Sequence, residues 1–382
     1  MKKFKLLTAS FISMGAAALF ADAHHGYGVA ENALAQSSGY GHDTQKTQSA
    51  QPAEQQGMPT RQITPEVEPK VTHWADPFIT AEFIYWKAYE EGLQYASSGV
   101  APARTSAGRG KVHAPDFDYE PGFKLGFGLR FNHDGWDLYA NWTWLSEFEG
   151  SGDVDSSDDY VVSGSWITPV VAPQIGLNEF GLSMNEADVD SSMQFNALDL
   201  ELGRNFYISR YLTLRPHFGF KFGWIDQDYK TKYEDLIFPG AVDADYEIKM
   251  DQDFFGCGLR TGLDTVWYFT KHWGLYGEFA FAALWSQFHS SRKDSYEDSG
   301  AGIAEYTTLH TRDHFNTITE VLELGLGFRY DTTFFVGDYA FYLQAGWEEQ
   351  IWFNQNQFYD MADNVTGNMS MQGLSVKAGL MF

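Results

Sequence analysis

The stretch from residue 255 to residue 285 alternates between two kinds of side chain with a period of two, with one short break at Thr270-Lys271-His272. A period of two is typical of a β-strand, whose successive side chains point to opposite faces. Two long runs joined by so short a turn predict an antiparallel hairpin. One face is strongly aromatic, whereas the other combines glycine with formal charge and is a poor candidate for a packed core. A transmembrane β-barrel would suit both faces, because the aromatic face would contact lipid and the face with glycine and charge would line a polar lumen.

The first strand of this hairpin has two further copies in the chain. All three spell apolar, Gly, apolar, Gly, apolar, Arg, and they end at Arg130, Arg260 and Arg329. Alternate glycines weaken a soluble strand, but inside a closed barrel they leave room for large side chains that reach across the lumen. The three arginines are then expected to face the interior. A nucleotide-binding loop is the alternative for Gly-x-Gly, but no helix follows any copy, and that motif requires a strand, a turn and a helix.

Composition agrees with strands that cross a membrane. Aromatic residues make up 17% of the 382 residues, yet the mean hydropathy is only −0.34. A barrel can place many rings at alternate positions and in two interfacial girdles, which keeps the average polar. Beyond the N-terminus, no stretch has the roughly eighteen uninterrupted apolar residues of a membrane helix. If the chain spans a membrane, it therefore does so as strands.

The N-terminus predicts export. Three lysines precede an apolar run, and Ala21-Asp22-Ala23 fits an A-x-A cleavage site. We therefore expect residues 1–23 to be a signal peptide. Residues 24–75 are small and polar, with clustered glutamines, and cannot bury enough apolar surface to fold alone, so a flexible extension is expected there. Residues 76–382 are assigned to the barrel.

Charge and cysteine content exclude some functions. The formal net charge is −25, which argues against binding nucleic acid and is consistent with solvated loops on an outer surface. Cys257 is the only cysteine, so no intrachain disulfide can form. We expect its thiol to be buried or to contact lipid. No cofactor and no metal are expected.

The alternating runs predict about ten strands. Long and short connections alternate along the chain, which is the outer-membrane pattern of long extracellular loops and short periplasmic turns. Asp134-Gly135 is the strongest hairpin signal. Long polar loops are expected over 146–191, over 289–314 and between about 225 and 254; the first could hide another hairpin, so twelve or more strands remain an alternative. The predicted fold class is all-β, a transmembrane antiparallel up-and-down β-barrel.

The chain ends on Phe382 in phase with its last strand. Alternating apolar residues up to a C-terminal phenylalanine resemble the signal by which bacterial outer-membrane barrels are recognised for assembly. We therefore expect Phe382 to be an assembly signal read by the barrel assembly machinery.

Several short stretches resemble one known family. Asp76-Pro77-Phe78, the segment FIYWKA at 83–88 and the segment PGFK at 121–124 are similar to strands of the pore-forming major outer membrane protein family of Legionella and environmental chlamydia relatives. The resemblance implies a surface-abundant porin, integral to the bacterial outer membrane. The single cysteine departs from the cysteine-rich, disulfide-linked major proteins of pathogenic chlamydiae, which argues against a cross-linked envelope role.

Charged residues on the inward phase predict a charged lumen wall. Rings of charged side chains discriminate among ions, so the leading hypothesis is a porin for passive diffusion of ions and small hydrophilic solutes. We expect the three copied arginines to form a basic band near the periplasmic mouth. The candidate lumen residues are Arg130, Arg260, Arg329, Glu82, Asp137, Asp199, Glu201, Arg215, Lys221, Asp264, Glu278, Glu323, Glu348 and Lys377.

Two other functions stay open. If the lumen charges pair with one another they fill the interior, since narrow barrels are filled by side chains, and the protein is then a plugged structural or adhesive surface barrel. An outer-membrane hydrolase is the third class, with Ser286 near His289, but no compact Ser/His/Asp arrangement is present, so no enzymatic activity is expected. The expected partners are outer-membrane lipid, the assembly machinery and permeating solutes, and a homo-oligomer is left open.

Overall fold

The computed structural model describes most of the chain beyond residue 70. The described ranges are 71, 74–100, 110–132, 134–157, 161–167, 183–237, 243–334, 339–358 and 366–382. The expected signal peptide and nearly all of the expected extension lie outside these ranges. Within them, no helix is long and apolar enough to cross a membrane.

Ten antiparallel strands close into a ring, as the alternation predicts. The first strand of the ring pairs with the last, from Phe78 opposite Met381 to Glu90 opposite Met369. All strands, inside and outside the ring, are numbered in chain order. The ring strands are β1 (Ala75–Glu90), β5 (Tyr119–Phe131), β6 (Trp136–Leu145), β9 (Ser183–Arg204), β11 (Leu212–Ile237), β12 (Ala244–Tyr268), β13 (Trp273–Asp298), β14 (Ile303–Phe334), β15 (Tyr339–Asn356) and β16 (Gly367–Met381). The short strands outside the ring are β2 (Ala96–Val100), β3 (Val112–His113), β4 (Asp116–Phe117), β7 (Phe148–Asp155), β8 (Val161–Gly164) and β10 (Phe206–Tyr207).

The two ends of the barrel differ, and we name them the turn end and the loop end. The turn end carries the short connections from β5 to β6, β9 to β11, β12 to β13 and β14 to β15, together with the start of β1 and the end of β16. Asp134 and Gly135 there have φ of 60° and 72°, as an Asp-Gly hairpin turn requires. Short turns face the periplasm in outer-membrane barrels, so we assign the turn end to that side.

Four ring strands are much longer than the alternation predicts. β11 has 26 residues, β12 25, β13 26 and β14 32, whereas about nine to eleven residues cross the hydrocarbon. The expected loops between 225 and 254 and over 289–314 are therefore wrong, because these residues continue the strands beyond the membrane. The pairing of Tyr229 with Met250 and of Arg292 with Thr311 lies in these projections. Their outward residues face water rather than lipid, so the apolar residues of β12 there, such as Ile248 and Met250, alternate on the inner face instead of the outer one.

The expected loop over 146–191 is also wrong in part. β9 already begins at Ser183, and β7 pairs with it from Phe148 opposite Met193 to Asp155 opposite Glu186. β6 pairs with the other half of β9, so β7 continues the wall beyond β6. Neither β7 nor β8 enters the ring, and the ring therefore keeps ten strands.

Large apolar side chains cover the outer wall of the ring. Leu259, for example, is 67% exposed, and Cys257 is half-buried on the same face. So large an exposed apolar surface marks contact with a membrane, and two bands of aromatic residues border it. The loop-side girdle contains Tyr85, Tyr119, Trp144, Trp224, Trp285 and Trp347, and the turn-side girdle contains Tyr207, Tyr211, Trp267, Phe269, Trp273 and Tyr339.

Among the copied glycines, Gly128 and Gly256 make room for aromatic rings in the lumen, as the repeat predicts. A Cβ added to Gly128 would lie 2.0 Å from the ring of Phe78, and one added to Gly256 would lie 2.7 Å from the ring of Phe254. Only a residue without a side chain leaves this space, and the inner wall can therefore hold large side chains.

Candidate functional site

A chamber of about 470 Å³ occupies the lumen at the turn end. It extends from Lys271 and His272, in the turn between β12 and β13, to Glu82 and Glu348 inside the barrel. Every predicted lumen residue except Lys221 lines it, so the strand phase placed these side chains on the correct face. The lining residues from that set are Arg130, Arg260, Arg329, Glu82, Asp137, Asp199, Glu201, Arg215, Asp264, Glu278, Glu323, Glu348 and Lys377.

Arg215 on β11 is the centre of one group of ion pairs. Its guanidinium contacts Asp137 at 2.6 Å, Glu201 at 2.9 Å and Asp264 at 2.8 Å. These carboxylates come from β6, β9 and β12, so one side chain ties four strands together across the wall. His217 lies in the same group, with Nδ1 3.7 Å from Glu201 and Nε2 3.6 Å from Asp264.

Arg260 and Lys221 extend this group toward the loop end. Arg260 contacts Glu201 and Glu323, each at 2.5 Å. The Nζ of Lys221 lies 2.9 Å from Asp199 and 2.6 Å from Glu323, and the side chain is buried. We call the whole set the main ion cluster: the cations Arg215, Arg260 and Lys221, the carboxylates Asp137, Asp199, Glu201, Asp264 and Glu323, and His217.

A second, balanced group lies on the other side of the lumen. Lys124 forms ion pairs with Glu82 at 3.0 Å and with Glu348. The Nζ of Lys377 is 3.9 Å from Glu82, and the hydroxyl of Ser375 donates to Glu348 at 2.9 Å. Two cations and two carboxylates therefore balance one another here.

The predicted basic band at the periplasmic mouth is wrong. Arg130 is one residue from the turn-end terminus of β5, but Arg260 is eight residues from that of β12. Arg329 binds Asp331 at 2.8 Å, and Arg260 belongs to the main ion cluster. The repeat fixes the face to which each arginine points, but not its distance from the turn, because the strands differ in where they end.

A layer of packed aromatic rings bounds the chamber on its loop-end side. We call Trp86, Phe195, Phe254 and Trp352 the inner aromatic layer. Trp352 is fully buried, and its ring centroid is 5.5 Å from that of Phe195 and 5.9 Å from that of Phe254. The Nζ of Lys124 lies 4.8 Å from the Trp86 ring, so the layer follows directly on the charged wall.

A chain of hydrogen-bonded polar side chains follows this layer toward the loop end. Gln227 donates to Glu90 at 2.6 Å, and Gln252 donates to Gln227 at 2.6 Å. All three side chains are buried. The described lumen therefore alternates from charged to aromatic to polar.

The segment after β8 folds inward at the loop end. The indole of Trp166 donates to the hydroxyl of Tyr229 at 3.0 Å. The backbone carbonyl of Trp166 accepts a hydrogen bond from the guanidinium of Arg292 at 2.9 Å. Arg292 and Asp294 are both fully buried and lie 2.8 Å apart. Part of the segment expected to be a long loop thus lies inside the barrel beyond the membrane.

Sequence reasoning missed several residues of the site. Lys124 is in phase with Gly126, Gly128 and Arg130, so the period of two could have assigned it to the lumen. Phe195, Phe254 and Trp352 gave no such signal, because a large ring on an inward position resembles a ring on a lipid-facing one.

Ser286 and His289 cannot act together. Ser286 is buried on the inner face of β13, whereas His289 lies exposed on the outer face. The ring of His289 instead stacks on that of His314, with centroids 4.3 Å apart. The pair considered for a hydrolase is therefore separated by the wall of the barrel.

Comparison with known proteins identifies one matching family. The profile described as Legionella pneumophila major outer membrane protein precursor matches residues 65–382. No curated protein matches the sequence.

Several solved outer-membrane structures share a low similarity with this chain. The protease OmpT of Escherichia coli has a TM-score of 0.37 and 14% identity, covering 80% of this chain and 96% of OmpT. A FadL homologue of Pseudomonas aeruginosa has a TM-score of 0.30 and 12% identity, covering 81% and 90%. OprG of the same organism has a TM-score of 0.24 and 12% identity, covering 80% and 97%. Similarities this low carry no information about function.

Proposed function

Because the chain belongs to the family of the Legionella pneumophila major outer membrane protein, and is thus an integral protein of the bacterial outer membrane, we propose that it is a porin of low conductance. Ions and small hydrophilic solutes would enter the charged chamber from the turn end and pass the inner aromatic layer one at a time. The chamber of about 470 Å³ carries this proposal, because a barrel that serves only as an anchor has no need for a charged cavity inside its wall.

The inner aromatic layer would limit the flow. Its rings are fully packed in the described conformation, so conduction requires them to move apart. Hydrophobic constrictions can close a pore by excluding water. The ring of Trp352 packs over Gly223, where an added Cβ would lie 2.7 Å from it. Because glycine has no side chain to hold the ring, we propose that Trp352 is the element that moves.

Conductance of the refolded mature protein in a planar lipid bilayer tests this function. We expect small discrete steps from the protein starting at His24, and larger or more frequent steps from Trp352→Ala, because that change opens a gap in the layer. Trp347→Ala is the matched control: it lies on the same strand but faces lipid, and it should leave the steps unchanged. Silence from both the parent and Trp352→Ala, with the fold verified, would refute the porin.

A plugged structural or adhesive barrel is the second candidate. The observation that favours it is the combination of the packed layer with Trp166 at the loop end, since both fill the lumen. In this case Trp352→Ala would reduce stability without creating a conducting state. We propose no enzymatic role for either candidate.

We also propose that the barrel assembly machinery is a partner of this protein. Phe382, the last residue, would be read by the barrel assembly machinery. Its ring packs edge-on against Tyr339, with centroids 6.1 Å apart, and its amide donates to the carbonyl of Pro77 at 3.3 Å. The C-terminal residue thus lies where the ring closes, and a machinery that bound it would hold the closing strand.

A further inference from the structure

We infer that Glu278 attracts permeating cations and gives the pore a preference for cations over anions. The inference rests on the proposed porin function and concerns monovalent inorganic cations and small ammonium ions. Glu278 lies on β13 and lines the chamber.

The charged wall has more carboxylates than cations. Arg215, Arg260 and Lys221 form the positive side of the main ion cluster, and five carboxylates surround them. The second group, around Lys124 and Lys377, is balanced. Within the main ion cluster the carboxylates therefore outnumber the cations by two, and by one when His217 is protonated.

Glu278 is the member of the predicted lumen carboxylates that this pairing leaves out. Among the described residues, no lysine, arginine or histidine nitrogen lies within 4 Å of its carboxylate. Its hydrogen bond comes instead from the neutral amide of Gln344, at 3.3 Å. A carboxylate that is held by a neutral amide has no fixed cation in contact with it.

The neighbours of Glu278 strengthen its negative field. It lies directly opposite Asp264 on β12, and on its other side it faces Gly325, which lies opposite Glu348 on β15. Gly325 adds no side chain, so nothing from β14 separates the carboxylates on β13 and β15. Lys377 and Lys124 attract Glu278 from beyond 4 Å; Lys124 also pairs with Glu82 and Glu348, and Lys377 lies 3.9 Å from Glu82.

Reversal potential under a salt gradient measures the predicted preference. We expect the parent pore to select cations and Glu278→Gln to lower the cation-to-anion permeability ratio about threefold, the effect of one screened unit charge about 5 Å from the ion path. Glu297→Gln is the matched control, since Glu297 is exposed on the projecting part of the same strand. An unchanged ratio in Glu278→Gln would overturn the inference while leaving the porin intact.

A second measurement separates this inference from the porin proposal, because it does not need conduction. Ala280→Cys in a Cys257→Ser background places a thiol in the chamber two residues from Glu278. A cationic methanethiosulfonate reagent should modify it faster than an anionic one, and adding Glu278→Gln should reduce that rate ratio about threefold, as one screened unit charge would. If bilayers stay silent but this reduction occurs, the porin fails and attraction of cations by Glu278 stands. Equal ratios with and without Glu278→Gln would refute the role of Glu278.

Discussion

Replacing Lys221 with methionine should destabilise the barrel more than any other removal of one lysine. Lys221 is 1% exposed at its side chain, and its Nζ contacts Asp199 at 2.9 Å and Glu323 at 2.6 Å. Methionine has a similar length but no charge, so Lys221→Met leaves two buried carboxylates without their shared cation. Removing one partner of a buried pair costs about 3–5 kcal/mol, because the charge left behind is not solvated.

The neighbouring arginine sets where in this range the value should fall. Arg260 remains 2.5 Å from Glu323 and 3.7 Å from Asp199, so it continues to compensate part of the charge. We therefore expect a loss of about 3 kcal/mol in the free energy of unfolding, the lower end of the range for buried pairs. Urea titration of the protein refolded into lipid vesicles, followed by tryptophan fluorescence, measures this loss.

Two further variants make the measurement decisive. Lys249→Met removes a lysine whose side chain is 50% exposed and which pairs with Glu247, and an exposed pair should cost no more than about 1 kcal/mol. Adding Glu323→Gln to Lys221→Met removes one of the orphaned charges and should recover part of the loss. If Lys221→Met costs no more than Lys249→Met, the lumen is hydrated at this level and the buried-charge reasoning is refuted.

Two other variants test the repeat and the C-terminus. Gly256→Leu should lower the free energy of unfolding by about 1–3 kcal/mol through overpacking, since its Cβ would lie 2.7 Å from the Phe254 ring. Urea titration measures this loss. Gly302→Asn, in an open turn with φ of 73°, is the control and should leave the free energy of unfolding nearly unchanged. Deletion of Phe382 should reduce the amount of folded protein in the outer membrane, measured as the heat-modifiable band on gels, while leaving refolding in detergent intact. A full yield of the deletion variant in cells would contradict the assembly role.

The sequence predicted the membrane-spanning part of the fold well, because there one physical constraint acts on every second residue. Lipid selects apolar side chains such as Leu259 on the outer face, and the lumen leaves Arg260 on the inner face. The ten-stranded ring and the inward face of the candidate lumen residues followed from this alternation. The ends of β13 and β14 could not be predicted from this alternation, because beyond the lipid both faces of a strand tolerate polar residues.

The pairing within the site was not predictable from the strand phase. The phase places Arg260 and Glu323 in the lumen, but their contact depends on the register of the three strands β12, β13 and β14 and on the curvature of the barrel. The inner aromatic layer could not be predicted from the sequence for a related reason. Phe254 and Phe255 are the same residue type at adjacent positions, yet one fills the lumen and the other faces outward, so only the closed ring shows which is which.

The projecting strands separate the hairpin tips, the part of the molecule farthest from the membrane, from the charged chamber in the lumen. From Trp285 in the loop-side girdle to Asp298, β13 rises about 30 Å above the membrane at the strand rise and tilt of such barrels. Trp166 and the inner aromatic layer lie between the hairpin tips and the chamber. Substitutions at the tips can therefore change the surface presented beyond the membrane without altering the charged wall of the chamber.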